Sequence, residues 1–455
     1  MSDTIAAIAT ALVPSAIGII RLSGPESVSV LDRVFTPAHG APMAERPNRM
    51  LVYGALHDET GTVIDYCLAT VSRAPHSYTG EDTAELQCHG SPTALTMGLE
   101  ALFAAGARQA KAGEFTRRAF LAGKLDLTRT EAVADLIHAE SPAAVRQAAG
   151  QLGGALERTI TEIYDGLTDL MAHFHAVLDY PDEDIEPFEA AEISFALTEA
   201  GKKLHALAAS YDRGRALVEG IPCAIIGRPN AGKSTLFNAL LGYDRAIVTP
   251  IAGTTRDTVE ERLNLGGILL RLIDTAGLRD TDDQVERLGV ERSRAALEQA
   301  ELVLAVVDGG KTLSTEDEEI LTLALTAPHC IIIENKADLP GEAMALPVPS
   351  GTAVVRLSAL TGDGLDELEL AIHRLFPEDT GLRPGTLLTN ARQAESANRA
   401  RRSIERAAAA LSSGMSPDAV LSDVEEALEA LGELTGRLVR DDVTARIFER
   451  FCVGK

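Results

Sequence analysis

The sequence predicts a multidomain chain of α/β plus α class. It has an N-terminal α+β module, a helical domain, and a doubly wound α/β domain inserted into the helical one. Three observations predict this. At 455 residues the chain exceeds one ordinary domain. Between Ile221 and about Pro377 short apolar runs alternate with helical stretches, the pattern of a parallel sheet covered by helices. On either side of that region lie long stripes with apolar residues at i, i+3 and i+4, which only an amphipathic helix collects on one face.

In order along the chain, residues 1–122 are rich in Gly, Pro and short apolar runs. Ile17–Ile20, Arg49–Tyr53 and Ala84–Cys88 read as strands and Pro92–Ala105 as a helix. Residues 123–217 form the first part of the helical domain, with Leu152, Leu156, Ile160, Ile163, Leu167 and Leu170 as one stripe. Residues 218–378 are the insert, with strands expected at Pro222–Ile226, Ile268–Ile273, Leu302–Val307, His329–Glu334 and Val354–Leu357. Residues 379–455 return to helix, their last stripe running Val420, Leu421, Val424, Leu428, Leu431 and Leu434.

Aromatic residues are only 4% and Trp is absent, so the cores rest on Leu, Ala, Val and Ile. The formal net charge of -25 rules out nucleic-acid or anionic-membrane binding through the overall field; an RNA contact needs a local patch or a basic partner. Five scattered cysteines, with no CxxC pair, exclude a disulfide scaffold and fit a reducing compartment. Pro14 and Gly18 interrupt the apolar N-terminus, and no apolar run reaches membrane-spanning length. The expectation is a cytoplasmic protein with no membrane partner.

One motif decides the chemistry. The strand at Cys223–Ile226 runs into Gly227-Arg228-Pro229-Asn230-Ala231-Gly232-Lys233-Ser234-Thr235 and then a helix. This is a P-loop, GxxxxGK[ST], in its strand–loop–helix setting. Its glycines let backbone N–H groups curl around phosphate at a helix N-terminus. Lys233 then reaches the β/γ-phosphates and the Ser234 hydroxyl can ligate Mg²⁺. Further along, Asp274-Thr275-Ala276-Gly277 follows a strand and can hold Mg²⁺ through water. In Asn335-Lys336-Ala337-Asp338 the Asp338 carboxylate suits the two N–H donors of a guanine edge, which adenine does not offer. Ser358-Ala359 fits the remaining guanine contact. These motifs resemble the translation-factor-related GTPases, and the insert is expected to be a Ras-like P-loop GTPase domain that binds GTP and GDP. Leu278 stands where Ras-like proteins carry a water-orienting Gln, leaving Asp280, Asp282, Asp283, Gln284 and Glu286 as candidates. Thr255 can supply a switch hydroxyl to Mg²⁺. Arg256 is either a finger in cis or a residue that orders the switch.

The chain ends Phe451-Cys452-Val453-Gly454-Lys455. With the GTPase motifs, Gly18 to Gly24, Tyr78 to Asp82, Glu85 to Gln87, His89-Gly90, Gly113 to Thr116 and Lys124 to Leu127, it resembles the MnmE (TrmE) family of tRNA modification GTPases over essentially its whole length; that family usually has Ile at Val453. The resemblance implies an N-terminal folate-binding-like module that mediates homodimerisation. There 5-formyltetrahydrofolate or a related tetrahydrofolate meets Arg21, Glu85, Lys124 and Lys455. It also implies K⁺-dependent hydrolysis, with Asn230, Thr249, Ile251 and Thr254 holding K⁺ within a GTP site that includes Thr249, Pro250, Ile251, Ala252, Gly253, Thr254 and Thr255. Glu286 would position the water. A heterotetramer with an FAD-containing MnmG-type protein would modify C5 of the wobble uridine of certain tRNAs to a carboxymethylaminomethyl-type group.

Several residues keep two readings. Cys452 is a tail nucleophile or a packing thiol. His173 and His175, two apart, face different sides of a helix and read as surface histidines. His89 is a structural histidine or a ligand contact. Arg399, Arg402 and Arg406 share a helix face and either touch tRNA phosphate or pair with acidic helices. At the level of function, the competing expectation is a regulatory GTPase switch in ribosome assembly.

Overall fold

The computed structural model describes residues 3–179, 190–243, 261–273, 297–340, 346–377, 383–415, 417–437, 447–448, 451 and 453–454. In chain order the N-terminal elements are β1 (Ile5–Ile8), β2 (Ser15–Ser23), α1 (Ser27–Val34), β3 (Phe35–Pro37), β4 (Val52–His57), β5 (Val63–Ser72), β6 (Thr83–Gly90), α2 (Pro92–Ala104), β7 (Arg108–Gln109) and α3 (Glu114–Leu121). Helices follow: α4 (Leu127–Ile137), α5 (Pro142–Leu152), α6 (Ala155–Asp179), α7 (Ala190–Ala209) and α8 (Tyr211–Glu219). Next come β8 (Ile221–Gly227), α9 (Lys233–Tyr243), β9 (Glu261–Leu265), β10 (Ile268–Leu272), β11 (Leu302–Asp308), α10 (Thr315–Ala324), β12 (His329–Asn335), β13 (Ala353–Arg356) and α11 (Leu365–Leu375). The last two are α12 (Ala391–Ser412) and α13 (Pro417–Thr435). The chain divides into two units, one of residues 1–137, 151–204 and 396–455, the other of residues 138–150 and 205–395.

The first unit holds a mixed sheet in the order β3-β4-β5-β6-β2-β1-β7. Its pairs are antiparallel except β1 with β7. Ile20, Leu22, Leu86 and Val71 from alternate strand positions meet Leu95 and Leu102 of α2 and Leu31 of α1 in one buried core, as period-two patterning requires. Ser91 caps α2, its side chain accepting the Ala94 N–H, with Pro92 in the first turn. The stripe on α6 is buried at Leu156, Ile160, Ile163, Leu167 and Leu170 and packs against α13. On α13 the buried positions are Val420, Leu421, Val424, Leu431 and Leu434, with Ala427 deeper than Leu428.

The second unit holds the sheet β13-β12-β11-β8-β10-β9. Five of its strands are the five expected, and they run parallel. The sixth, β9, departs from the expected all-parallel sheet: it pairs antiparallel with β10. Its signal lay in Glu261-Arg262-Leu263-Asn264-Leu265 alternation before Gly266-Gly267. Both glycines have positive φ, +60° and +93°, as a two-residue hairpin turn demands. In the first unit the expected strand at Arg49–Tyr53 instead begins at Val52; Arg49 sits in the left-handed region at φ +61°, which breaks extended geometry.

A charged network fastens the start of β1 to α3. Arg108 and Arg118 both bind the carboxylates of Asp3 and Glu114, and Arg118 also reaches Glu81 at 2.9 Å. Burial pushes the Glu114 carboxyl up, but hydrogen bonds from Arg108, the Lys111 N–H and Arg118 outweigh it and hold the pKa at about 2. The folded pKa is below the ordinary value, so this contribution is present above about pH 4.5 and is lost as pH falls towards 2. Glu114→Gln is expected to destabilise this unit by about 2 kcal/mol at neutral pH. Thermal melts from pH 7 to pH 2.5 should show the gap to wild type closing below pH 4.5; a constant gap would assign the loss to packing.

Candidate functional site

The P-loop leaves the central strand of the second unit. β8 is buried along Ile221–Ile226 and lies between β10 and β11, so its C-terminal end opens where strand order reverses, the usual ligand position of such sheets. The turn into α9 needs unusual backbone: φ is +63° at Asn230 and +97° at Gly232. A Cβ at Gly232 would overlap Nδ2 of Asn335, so glycine is required for close approach as well as for φ. Lys233 Nζ donates to the carbonyls of Gly227 at 2.8 Å and Arg228 at 2.9 Å, and burial lowers its pKa. Half-buried Ser234 and exposed Thr235 occupy the first turn of α9. The hydroxyl oxygen of Ser234 is the donor type that a hard divalent cation takes.

The residues expected to read the base gather at neighbouring strand ends. Asn335, 2% exposed, donates through Nδ2 to the Ala231 carbonyl at 2.9 Å and accepts the Ala359 N–H at 3.0 Å. One amide therefore joins the P-loop to the Ser358-Ala359 turn. The Ser358 hydroxyl donates to the Asp338 carboxylate at 2.6 Å, which fixes the orientation of that carboxylate. Lys336 Nζ donates to the Asn230 carbonyl at 3.0 Å and to Asp308 at 2.7 Å. Arg228 is engaged by Ser314 at 2.7 Å, Glu316 at 2.8 Å and Asp317 at 3.3 Å, all at the start of α10, so its guanidinium is tied away from the phosphate cradle.

A second site lies in the first unit. Arg21 on β2 pairs with Glu85 on β6 at 2.8 Å, the two being cross-strand neighbours. They line a cavity of about 330 Å³ with Tyr78, Thr79, Thr83, Val133, Leu136, Ile137 and Leu152. Arg21 also lies 5.9 Å above the Phe115 ring. The Tyr78 hydroxyl is held at 3.0 Å from that of Thr116, and the stem of Lys124 packs beside Gly80. The tail approaches the same sheet: Val453 bridges Ala112 antiparallel, and Gly454 abuts the Ile8 carbonyl, one residue from Ala7, which opposes Arg21.

Thr249, Pro250, Ile251, Ala252, Gly253, Thr254, Thr255, Arg256, Asp274, Thr275, Ala276, Gly277, Leu278, Asp280, Asp282, Asp283, Gln284, Glu286, Cys452 and Lys455 lie outside the described residues, as does the His175 side chain. Arg399 pairs with Glu433 and Arg406 with Asp423 and Glu426, all on α13, while Arg401 pairs with Glu405 of its own helix; of the two readings of that cluster, the structure displays the acidic pairing. His89 accepts or donates at Nδ1 with Asp65 at 2.8 Å. Sequence reasoning missed the α4 wall of the cavity, Val133, Leu136 and Ile137, whose i, i+3, i+4 spacing was its signal. It also missed Asp308, which no motif marks.

A P-loop on the central strand, with Asn335, Asp338 and Ser358 at adjacent strand ends, defines a guanine-nucleotide-binding GTPase. The family model for the MnmE helical domain matches residues 127–452, and that for the GTP-binding protein TrmE N-terminus matches residues 4–124. The tRNA modification GTPase MnmE of Symbiobacterium thermophilum is 44% identical over 456 residues, covering 100% of this chain and 99% of its own. That of Roseiflexus sp. (strain RS-1) is 43% identical over 464 residues, covering 100% and 99%. Among solved structures, Aquifex aeolicus Era bound to GDP.AlF4- is 33% identical over 40% of this chain and 65% of that one, with a TM-score of 0.27. The chain belongs to the MnmE (TrmE) family of tRNA modification GTPases, and its activity is GTP hydrolysis in tRNA modification.

Gly232→Ala forces a methyl against Asn335 at a left-handed φ. It is expected to weaken binding of a fluorescent GDP analogue about tenfold or more while circular dichroism stays native. Unchanged affinity would mean that the loop does not need this close approach.

Proposed function

We propose that this chain is a K⁺-dependent GTPase of the cytoplasm that works as a homodimer, with an FAD-containing MnmG-type partner. It uses a tetrahydrofolate one-carbon unit to build a carboxymethylaminomethyl-type group at C5 of the wobble uridine of certain tRNAs. The observation that carries the reading is the Arg21–Glu85 cavity with the C-terminal tail beside it. A charged pair faces an apolar wall of Val133, Leu136 and Ile137, a setting that suits a flat heterocycle rimmed by donors and acceptors. Gly454 against Ile8 supports delivery of Lys455 to an anionic folate tail, with Lys124 on the loop side. The module so used is taken as residues 1–122. Its sheet also exposes Ile17, Tyr53 and Tyr66, the two tyrosine rings stacked at 6.4 Å; burying such apolar surface supports dimerisation through this module.

In the GTPase domain, Lys233 exchanges its two loop carbonyls for β/γ-phosphate oxygens, and Asp338 with Ser358 and Ala359 selects guanine. Ser234 and Thr255, with Asp274 through water, are the Mg²⁺ donors of this reading. Bound Mg²⁺ and K⁺ supply positive charge to phosphoryl oxygens as the bond breaks. Asn230, Thr249, Ile251 and Thr254 would hold the K⁺; Asn230 is exposed on the loop, which leaves its side chain open to a ligand. Glu286 positions the water in place of the Gln that Leu278 replaces, and Arg256 orders the switch.

GTP hydrolysis measured in KCl and NaCl at equal ionic strength tests the cation reading. About tenfold or greater activation by K⁺, lost in Asn230→Ala, is expected; equal slow rates in both salts would overturn it. Titration of 5-formyltetrahydrofolate tests the other site: Arg21→Ala is expected to weaken binding about tenfold or more. A folded Arg21→Ala protein with wild-type affinity would move the folate elsewhere.

A further inference from the structure

The P-loop is held from outside by a segment that none of the nucleotide motifs contains. β11 ends at Asp308, and the turn Asp308-Gly309-Gly310-Lys311 closes on β12: Gly309 N–H donates to the Asn335 carbonyl at 2.8 Å and Gly310 N–H to Asp308 Oδ1 at 3.1 Å. The free Asp308 oxygen, Oδ2, takes Lys336 Nζ at 2.7 Å, with Lys311 Nζ at 3.6 Å. The Asp308 side chain is 15% exposed, and although burial pushes its carboxyl up, the bonds from Lys336 and the Gly310 N–H lower its pKa overall. Lys336 stands at φ +70°, a backbone that a non-glycine residue keeps only when its surroundings hold it. From that position the same ammonium reaches the carbonyl of Asn230, the left-handed residue at the crest of the P-loop.

We infer that Asp308 is a positioning residue for nucleotide binding. It aims the Lys336 ammonium at the Asn230 carbonyl and so fixes the P-loop crest before GTP arrives. The chain of contacts is Asp308 Oδ2, Lys336 Nζ, Asn230 O. Without the carboxylate, the ammonium on its flexible stem has one anchor instead of two, and the crest must be ordered at the cost of binding energy. The inference rests on GTP hydrolysis alone and is independent of the potassium and folate readings.

Steady-state GTP hydrolysis by the full chain, with dissociation of a fluorescent GDP analogue, tests it. Asp308→Asn, nearly isosteric, is expected to raise KM for GTP and the GDP-analogue Kd about tenfold, with kcat at saturating GTP within about twofold of wild type. Asp308→Glu, which keeps the charge, is expected to restore most of the affinity. In a Lys336→Met background, Asp308→Asn is expected to add nothing, because both changes break one chain. A folded Asp308→Asn protein with wild-type KM and Kd would overturn the inference. So would failure of Asp308→Glu to recover affinity, or a penalty undiminished in the Lys336→Met background.

Discussion

The hydrogen bonds of one buried amide organise the nucleotide end of this molecule. Asn335 donates to the carbonyl of Ala231 and accepts from the N–H of Ala359, so the P-loop and the Ser358-Ala359 turn share one fixed point. The amide is 2% exposed, and a buried amide that loses a partner costs about 1–3 kcal/mol. The glycine at 232 follows from the same constraint, since the amide occupies the space a side chain would need. Even the order of strands serves it: β8, β11 and β12 lie side by side, which brings residues 231 and 335 within reach although they are far apart in the chain.

The N-terminal module solves a different problem, that of keeping charge half-buried around a cavity. Arg21 and Glu85 neutralise each other across β2 and β6, and Glu81, on the loop that carries Tyr78 and Thr79, is held by Arg118 and the Ser23 hydroxyl. Arg118 also takes Asp3 and Glu114. A single guanidinium thus ties the loop at the cavity, the start of β1 and the start of α3 together. The planar fork of Arg suits this role, since it presents five donors in fixed directions. The tail uses the other side of β1's end: Phe451 packs against Gly113 and Phe448, leaving Val453 and Gly454 to run along Ala112 and Ile8.

What was legible in the sequence was whatever local pattern determines. The parallel strands announced themselves as apolar runs between helices, and the α6 and α13 stripes by their spacing. The P-loop, Asn335, Asp338 and Ser358 were legible as motifs because each directly follows an apolar strand, and the structure brings them to adjacent strand ends. β9 was lost because its alternation includes Glu261, Arg262 and Asn264, polar enough to read as a loop. Asp308 was illegible because its meaning depends on Lys336, 28 residues on, and on a register between β11 and β12 that the sequence does not display. Arg228 was visible as a cation inside the loop, but its engagement by Ser314, Glu316 and Asp317 needed the fold. The α4 wall carried its signal only as a stripe, which says which face is apolar and not what it faces.

The charge balance bears on how such a chain meets tRNA. With 67 acidic residues against 42 basic ones, the overall field opposes a polyanion. The densest run of arginines, on α12, spends Arg399 and Arg406 on Glu433, Asp423 and Glu426 of α13. A phosphate there would have to displace carboxylates that already accept short, charge-assisted hydrogen bonds. Arg399 and Arg406 are therefore poorly placed to supply phosphate affinity. Phosphate affinity is better supplied by a basic partner, while this chain contributes the GTPase cycle. That division accounts for an acidic protein acting on an acidic substrate.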